Sequence, residues 1–185
     1  MRWIVGLTGS NAAGKGEVAS HLASRGFRVH SLSDIVREAA SAEGVPPTRE
    51  HLIRLGNELR RDGGASVLAE RILPRLEAPA VVDSIRNPAE VGVLRTLPEF
   101  VLVGVEAPLA TRFARTLARA RPGDPVTLEK YRRREAQENA DDPRAQQLAK
   151  TFALADHVLE NDGSLAGLGD ALDVWLAGRD PAADR

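Results

Sequence analysis

The stretch GLTGSNAAGKGEV, residues 6–18, constrains this chain more than any other. It contains Gly-x-x-x-x-Gly-Lys from Gly9 to Lys15. The apolar run WIVGL precedes it, and a helix-patterned segment with Val18 and Leu22 at i and i+4 follows. A buried strand, a glycine-rich turn and a helix in that order form the context of a phosphate-binding loop. Glycines let backbone N–H groups turn inward around phosphate oxygens, and the helix N-terminus adds positive potential. Gly9, Ser10, Asn11, Ala12, Ala13, Gly14, Lys15, Gly16 and Glu17 are therefore candidate contacts for a polyphosphate, with the Lys15 ammonium as a point charge. The competing reading is a glycine-rich turn with a surface lysine. The common loop places Ser or Thr after the lysine to bind Mg²⁺. Here Gly16 and Glu17 follow, so a metal is expected to be held mostly through water by Glu17, Asp34 or Asp83. Glu17 reads equally well as a first-turn acid favouring the helix dipole.

Beyond the loop, apolar runs alternate with helical patterns. FRVHSLS, APAVVDSI, FVLVGVEAP and a short segment around His157 to Leu159 read as strands. GEVASHLASRG is a helix with Gly26 as its C-cap, and SDIVREAASAEG one with Ser33 or Asp34 near its start. TREHLIRLGNELRRDGG carries Leu52, Leu55 and Leu59 at helical spacing, and SVLAERILPRL, PAEVGVLRTL, LATRFARTLARARPGD and VTLEKYRRREAQENADD are further helices. A C-terminal amphipathic helix holds Leu165, Leu168, Leu172 and Trp175, with Trp175 packed in the core and 179–185 a loose tail. This alternation predicts an α/β fold with a mostly parallel five-stranded sheet covered on both faces. A single domain over 1–178 is expected, with helical insertions at about 35–75 and 115–145.

Composition narrows the partners. Net charge is −1, with 43% hydrophobic and 28% charged residues, which favours neither nucleic acid nor a membrane. The chain has no cysteine, which rules out disulfides and thiolate metal sites and fits the cytoplasm. The four histidines lack metal-ligand spacing. From Arg112 to Arg134 eight basic residues face two acidic ones, and Arg112, Arg115 and Arg119 share one helix face. Three guanidiniums on one face repel unless anions meet them. The segment reads as an Arg-rich lid over a triphosphate, and alternatively as an ordinary charged surface helix.

Several segments resemble the P-loop kinase superfamily, within it the adenylate-kinase-like and dephospho-CoA-kinase-like nucleotide kinases. The loop is similar to that of adenylate kinases, where Lys is also followed by Gly. HSLSDIVREAA resembles their second-strand motif, and VVDSIRNPAEVGVLR resembles the matching stretch of deoxynucleoside monophosphate kinases and of the kinase-like part of fungal deoxycytidylate deaminases. VGVEAPLATRFARTLARAR is similar to a lid-entry strand and helix, and ADHVLENDGSLAGL to the C-terminal signature of dephospho-CoA kinases. The likeness covers roughly residues 3 to 176.

The resemblance implies an ATP- and Mg²⁺-dependent phosphotransferase acting on a small phosphate acceptor. Asp34, Arg37 and Arg86 fall on its acceptor motifs, with Arg60 a third arginine on the inserted helix. Arg115 and Arg119 match its phosphate-clamping arginines, and Asn161 either approaches the donor adenine, which the final strand–turn segment borders in the related kinases, or simply caps the turn. Lys15, Asp83, Arg115 and Arg119 are then the expected catalytic residues. The implied acceptor is a nucleoside or deoxynucleoside monophosphate. Hydroxyl phosphorylation of the dephospho-CoA kind, with Asp34 taking the proton, and a nucleotide-sensing module without turnover are the alternatives.

Overall fold

The computed structural model describes residues 3–121, 123–139, 141–162 and 165–178. Five parallel strands form one sheet: β1 (Ile4–Thr8), β2 (Arg28–Ser31), β3 (Ala80–Asp83), β4 (Phe100–Glu106) and β5 (His157–Glu160). Their order is β2-β3-β1-β4-β5, so β1 sits in the middle with β3 and β4 as neighbours. The expected α/β/α fold with a five-stranded parallel sheet is present.

Alternation along the strands builds two cores, because successive side chains point to opposite faces. Phe100 and Leu102 of β4 join Ile4 and Val82 on one face, while Val101, Val103 and Val105 join Val5, Leu7 and Val81 on the other. With both faces buried, the strands read as continuous apolar runs. The first face is covered by α2 (Leu32–Ala42), α3 (Arg49–Gly63), α4 (Val67–Ile72) and α5 (Pro88–Leu94). The second is covered by α1 (Lys15–Ser24) and α9 (Leu165–Ala177), through Val18, Leu22, Leu168 and Leu172.

The expected insertion at about 35–75 is the run α2, α3, α4 and a short 3₁₀ turn at Leu73–Arg75. The Arg-rich segment is α6 (Leu109–Arg119) and α7 (Leu128–Gln137). One helix is absent from the sequence reading: α8 (Leu148–Phe152), whose Phe152 ring packs where a Gly104 Cβ would stand, 2.8 Å away. At five residues, α8 is too short to show a periodicity. Helix α2 starts one residue earlier than expected, with Ser31 accepting from the Ser33 N–H as its cap. Gly26, at φ +88°, follows α1 as expected. Trp175 packs at the rim of the second core and stacks on His157 with ring centroids 4.6 Å apart. The expected tail, 179–185, and residues 163–164 lie outside the described residues. Among the described residues no helix is long and apolar enough to cross a membrane.

Candidate active site

The loop leaves the central strand and doubles back into α1. Gly9 adopts φ +133°, and a Cβ there would lie 2.2 Å from the Val105 carbonyl oxygen. Gly14, at φ +112°, would place a Cβ 2.0 Å from Asn161 Nδ2. Both positions thus demand glycine for conformation and for space. Gly14 is the N-cap of α1 and contributes no side-chain bond, which leaves that helix end to accept an anion. Lys15 Nζ donates to the carbonyls of Gly9 (2.6 Å) and Ser10 (3.0 Å). The ammonium therefore lies across the mouth of its own loop. A cavity of about 220 Å³ opens beside it, lined by Gly9, Ser10, Glu106, Arg112 and Phe152 among others.

Three elements clasp the loop from outside. Asn161, just past β5 and buried, donates from Nδ2 to the Ala13 carbonyl at 2.8 Å. Arg115 reaches the Ala12 and Ala13 carbonyls at 3.5 and 3.4 Å and both the main-chain and side-chain oxygens of Asn161 at 3.1 Å. Arg119 contacts Asn11 Oδ1 at 3.3 Å. The structure thus brings together the loop, Asn161, Arg115 and Arg119, residues drawn from three distant parts of the chain.

The basic face of α6 is not bare. Arg112 is paired with Glu135 of α7, and Arg119 with Asp124 at 2.8 Å. Protein carboxylates meet two of the three guanidiniums, which corrects the expectation that outside anions are needed for all of them. Arg115 differs: its hydrogen bonds among the described residues go to carbonyl and amide oxygens. It is the cation of this face best placed to take up an anion.

Tyr131 stands among the charges of α7 and meets Phe113 of α6 edge to face, with ring centroids 5.7 Å apart. Its ring is buried, its hydroxyl donates to the Asn11 carbonyl at 2.7 Å, and Arg112 Nη1 donates to it at 3.1 Å. Burial raises its phenol pKa above the ordinary value, only partly opposed by the Arg112 charge. A raised folded-state pKa means that the neutral phenol's contribution is full below about pH 10, the unfolded value, and is lost as pH climbs through the folded one. Tyr131→Phe is expected to cost about 1 kcal/mol near neutrality, by removing the hydrogen bond from its hydroxyl to the Asn11 carbonyl. The gap to the parent should narrow above about pH 10, as read from urea unfolding across pH. A gap that stays constant would contradict a buried phenol.

The acceptor side is organised by the end of β3. Asp83 is flanked by Ser31 on β2, and its Oδ1 accepts from the Ser84 N–H at 2.6 Å. Thr8 Oγ1 donates to the Ile85 carbonyl at 3.0 Å, tying the start of the phosphate loop to this segment. Arg86 follows, with Nη1 3.1 Å from buried Glu138 and 3.3 Å from Gln146. Arg37 and Asp34 pair with one another at 2.6 Å on the exposed side of α2. The structure does not gather Glu17, Asp34 and Asp83 into one ligand set. Among the described residues no three His, Asp or Glu side chains converge on a metal position. Asp83 alone of the three stands at the C-terminal end of a strand adjacent to β1.

Arg60 needs the largest revision. It is 2% exposed, and its Nε and Nη2 both donate to Glu90 Oε1, at 2.9 and 2.7 Å. Glu90 is fully buried, and its Oε2 accepts from the N–H groups of Arg86 and Asn87. The two-pronged edge that would fork a phosphate is therefore occupied by a carboxylate. Glu90 and Asn87 were legible as more than a helix start: Asn-Pro-x-Glu before an apolar run is a capping-box signature, and the box is formed here. Asn87 Nδ2 also binds the Pro143 and Ala145 carbonyls, which ties the β3–α5 turn to the segment returning from α7.

A glycine cradle at the C-terminal end of the central strand of a 2-3-1-4-5 parallel sheet, opening directly into a helix at lysine, defines the P-loop kinase-like fold. No protein-family model matches the chain. A UPF0200 protein of Hyperthermus butylicus is 38% identical over 168 residues, spanning 89% of this chain and 88% of its own. The chain belongs to the UPF0200 family. The crystal structure of TT1252 from Thermus thermophilus superposes with a TM-score of 0.62 at 29% identity, covering 96% of this chain and 98% of the other. Shikimate kinase from Acinetobacter baumannii, solved with shikimate, gives a TM-score of 0.55 at 17% identity over 97% and 96%, a likeness of fold.

Proposed function

We propose that the protein is a small-molecule kinase that moves the γ-phosphate of ATP to a nucleoside or deoxynucleoside monophosphate, as in the adenylate-kinase-like group. The observation that carries this reading is the pair of side-chain-free positions, Gly9 and Gly14, around a loop whose mouth holds Lys15 Nζ and whose outer wall holds Arg115. Loop amides and Lys15 take the donor phosphates, exchanging the Gly9 and Ser10 carbonyls for phosphate oxygens. Arg115 and Arg119 lie over the triphosphate, and Asn161 approaches the adenine. The acceptor phosphate is met by Arg86, with Arg37 as the second fork, since guanidiniums match phosphate oxygens bidentately. A phosphate acceptor is already ionised and needs no base, which suits a site where Asp34 is neutralised by Arg37.

The residues fit magnesium only indirectly. Bound with ATP, the ion would spread the developing charge on the phosphates. Gly16 offers it no hydroxyl, so the protein's part is Asp83 orienting its waters.

Product formation across a panel of nucleoside monophosphates, nucleosides and dephospho-CoA with Mg·ATP tests the reading. Turnover with monophosphates supports it, and turnover with hydroxyl acceptors alone moves the protein to the dephospho-CoA kind. Tight ATP binding without product for any acceptor makes it a sensing module, the reading that the Gly16-Glu17 pair favours.

Arg115→Ala is expected to reduce turnover at least tenfold, about 1.4 kcal/mol or more of transition-state stabilisation. Near-normal turnover would remove Arg115 from the donor site.

A further inference from the structure

A second cavity, of about 350 Å³, opens in the Arg-rich segment, between α7 and the turn that leads into it from α6. None of its lining residues borders the cavity beside the phosphate loop. Lys130, Arg133 and Arg134 of α7 form one wall, and Gly123, Asp124 and Val126 of the turn contribute to the other. Arg133 and Arg134 stand three and four positions after Lys130, and so on its side of the helix.

The charges around this cavity do not cancel. Arg133 donates to Glu129 at 2.8 Å, and Asp124 is held by Arg119, so those four side chains are neutral in pairs. Among the described residues no carboxylate lies within ion-pair distance of Lys130 or Arg134. Arg134 Nη2 donates to the Gly123 carbonyl at 2.8 Å, and Nη1 of the same guanidinium is buried without a hydrogen-bond partner. A carbonyl supplies a dipole, not a charge. Like charges four residues apart on a helix repel, yet both of these border one cavity. The wall therefore carries two positive charges that the protein leaves unanswered. A phosphate monoester brings about −1.5 to −2 at neutral pH, with three strong acceptor oxygens. Val126, 70% exposed, offers an apolar edge to the small carbon body of such an ester.

We propose that this cavity is a second anion site, which binds the phosphate of a small phosphomonoester and lies apart from the donor and acceptor phosphates. The inference goes beyond the kinase reading and does not depend on which acceptor is phosphorylated. The site adjoins the phosphate loop without entering it: Asp124 on its wall holds Arg119, which contacts Asn11 Oδ1 at 3.3 Å.

Calorimetric titration of the full chain with glycerol 3-phosphate tests the site, with glycerol as the uncharged control. Glycerol 3-phosphate should bind whether Mg·ATP is absent or saturating, with its affinity changed by less than about twofold, and glycerol should not bind. The double variant Lys130→Gln, Arg134→Gln should bind it at least about tenfold more weakly, since two charge-assisted contacts are gone. A thermal melt should show that variant to be folded, because neither cation has a carboxylate to lose. Lys130→Gln alone leaves the Arg134–Gly123 bond in place and covers the case in which the double variant fails to fold. It should weaken binding severalfold. Displacement of glycerol 3-phosphate by ATP would assign these cations to the donor triphosphate and overturn the proposal. An affinity unchanged in the folded variants would place the probe elsewhere, and a parent that does not bind it has no such site; either result overturns the proposal as well. Each of these outcomes leaves the kinase reading to its own panel of acceptors.

Discussion

Lys15→Ala is expected to lower turnover by a factor of about 10²–10³, in line with the loss of one preorganised charge donor from a reacting centre, about 2.7–4 kcal/mol. The structure makes the effect specific. Lys15 is half-buried at the start of α1, and its described bonds are to two carbonyls of the loop itself. Those carbonyls gain little from the ammonium compared with a triphosphate, which carries charge that must be balanced as the γ-phosphoryl moves. Lys15→Arg should not restore the rate, because a planar fork cannot occupy the position of a compact ammonium. The folded state should hardly notice either change, since a partly exposed hydrogen bond contributes on the order of 1 kcal/mol. Initial rates with the responsive acceptor, ATP binding by calorimetry and a thermal melt measure the three quantities. Parent-like ATP affinity and turnover in Lys15→Ala would end the phosphate-loop assignment.

The second large effect is on stability. Glu90→Ala should destabilise the fold by about 3–5 kcal/mol, the usual consequence of removing one partner of a buried ion pair. It leaves the Arg60 charge at 2% exposure without its carboxylate, and the N–H groups of Arg86 and Asn87 without an acceptor. That is a large share of the roughly 5–15 kcal/mol that holds an ordinary domain together. Glu90→Gln keeps an acceptor for the main-chain groups but turns an amide NH₂ toward a guanidinium, so it should recover only part. Arg60→Met added to Glu90→Gln should recover more, because the buried charge is then gone. Urea unfolding of the three variants reads this order. A loss under about 1 kcal/mol in Glu90→Ala would mean that the knot is not the structural centre its hydrogen bonds indicate.

The two effects also separate what the residues disclose early from what they disclose late. The loop could be read locally: Gly9, Gly14 and Lys15 lie within seven residues, and the chemistry of a phosphate cradle is written in main-chain freedom and one charge. The strands were legible for an equally local reason, since burial on both faces of a parallel sheet turns each into a short apolar run. Arg60 was not legible. As an arginine on an amphipathic helix it read as a phosphate ligand, and only packing against a glutamate thirty positions away made it a buried pair. Tyr131 and the internal neutralisation of Arg112 and Arg119 escaped for the same cause: their partners come from other elements.

By itself, then, the order of residues determined the α/β alternation, the cradle at the end of the first strand and the glycines that the cradle requires. All of these depend on contacts or conformations within a few positions of each other. Tertiary structure decided which arginines still offer a fork and which are spent on carboxylates, and that Asn161 and Arg115 close on the loop. A charged side chain's role is set by what stands opposite it, and in a parallel sheet wrapped by helices its neighbours come from other strands and helices far along the chain.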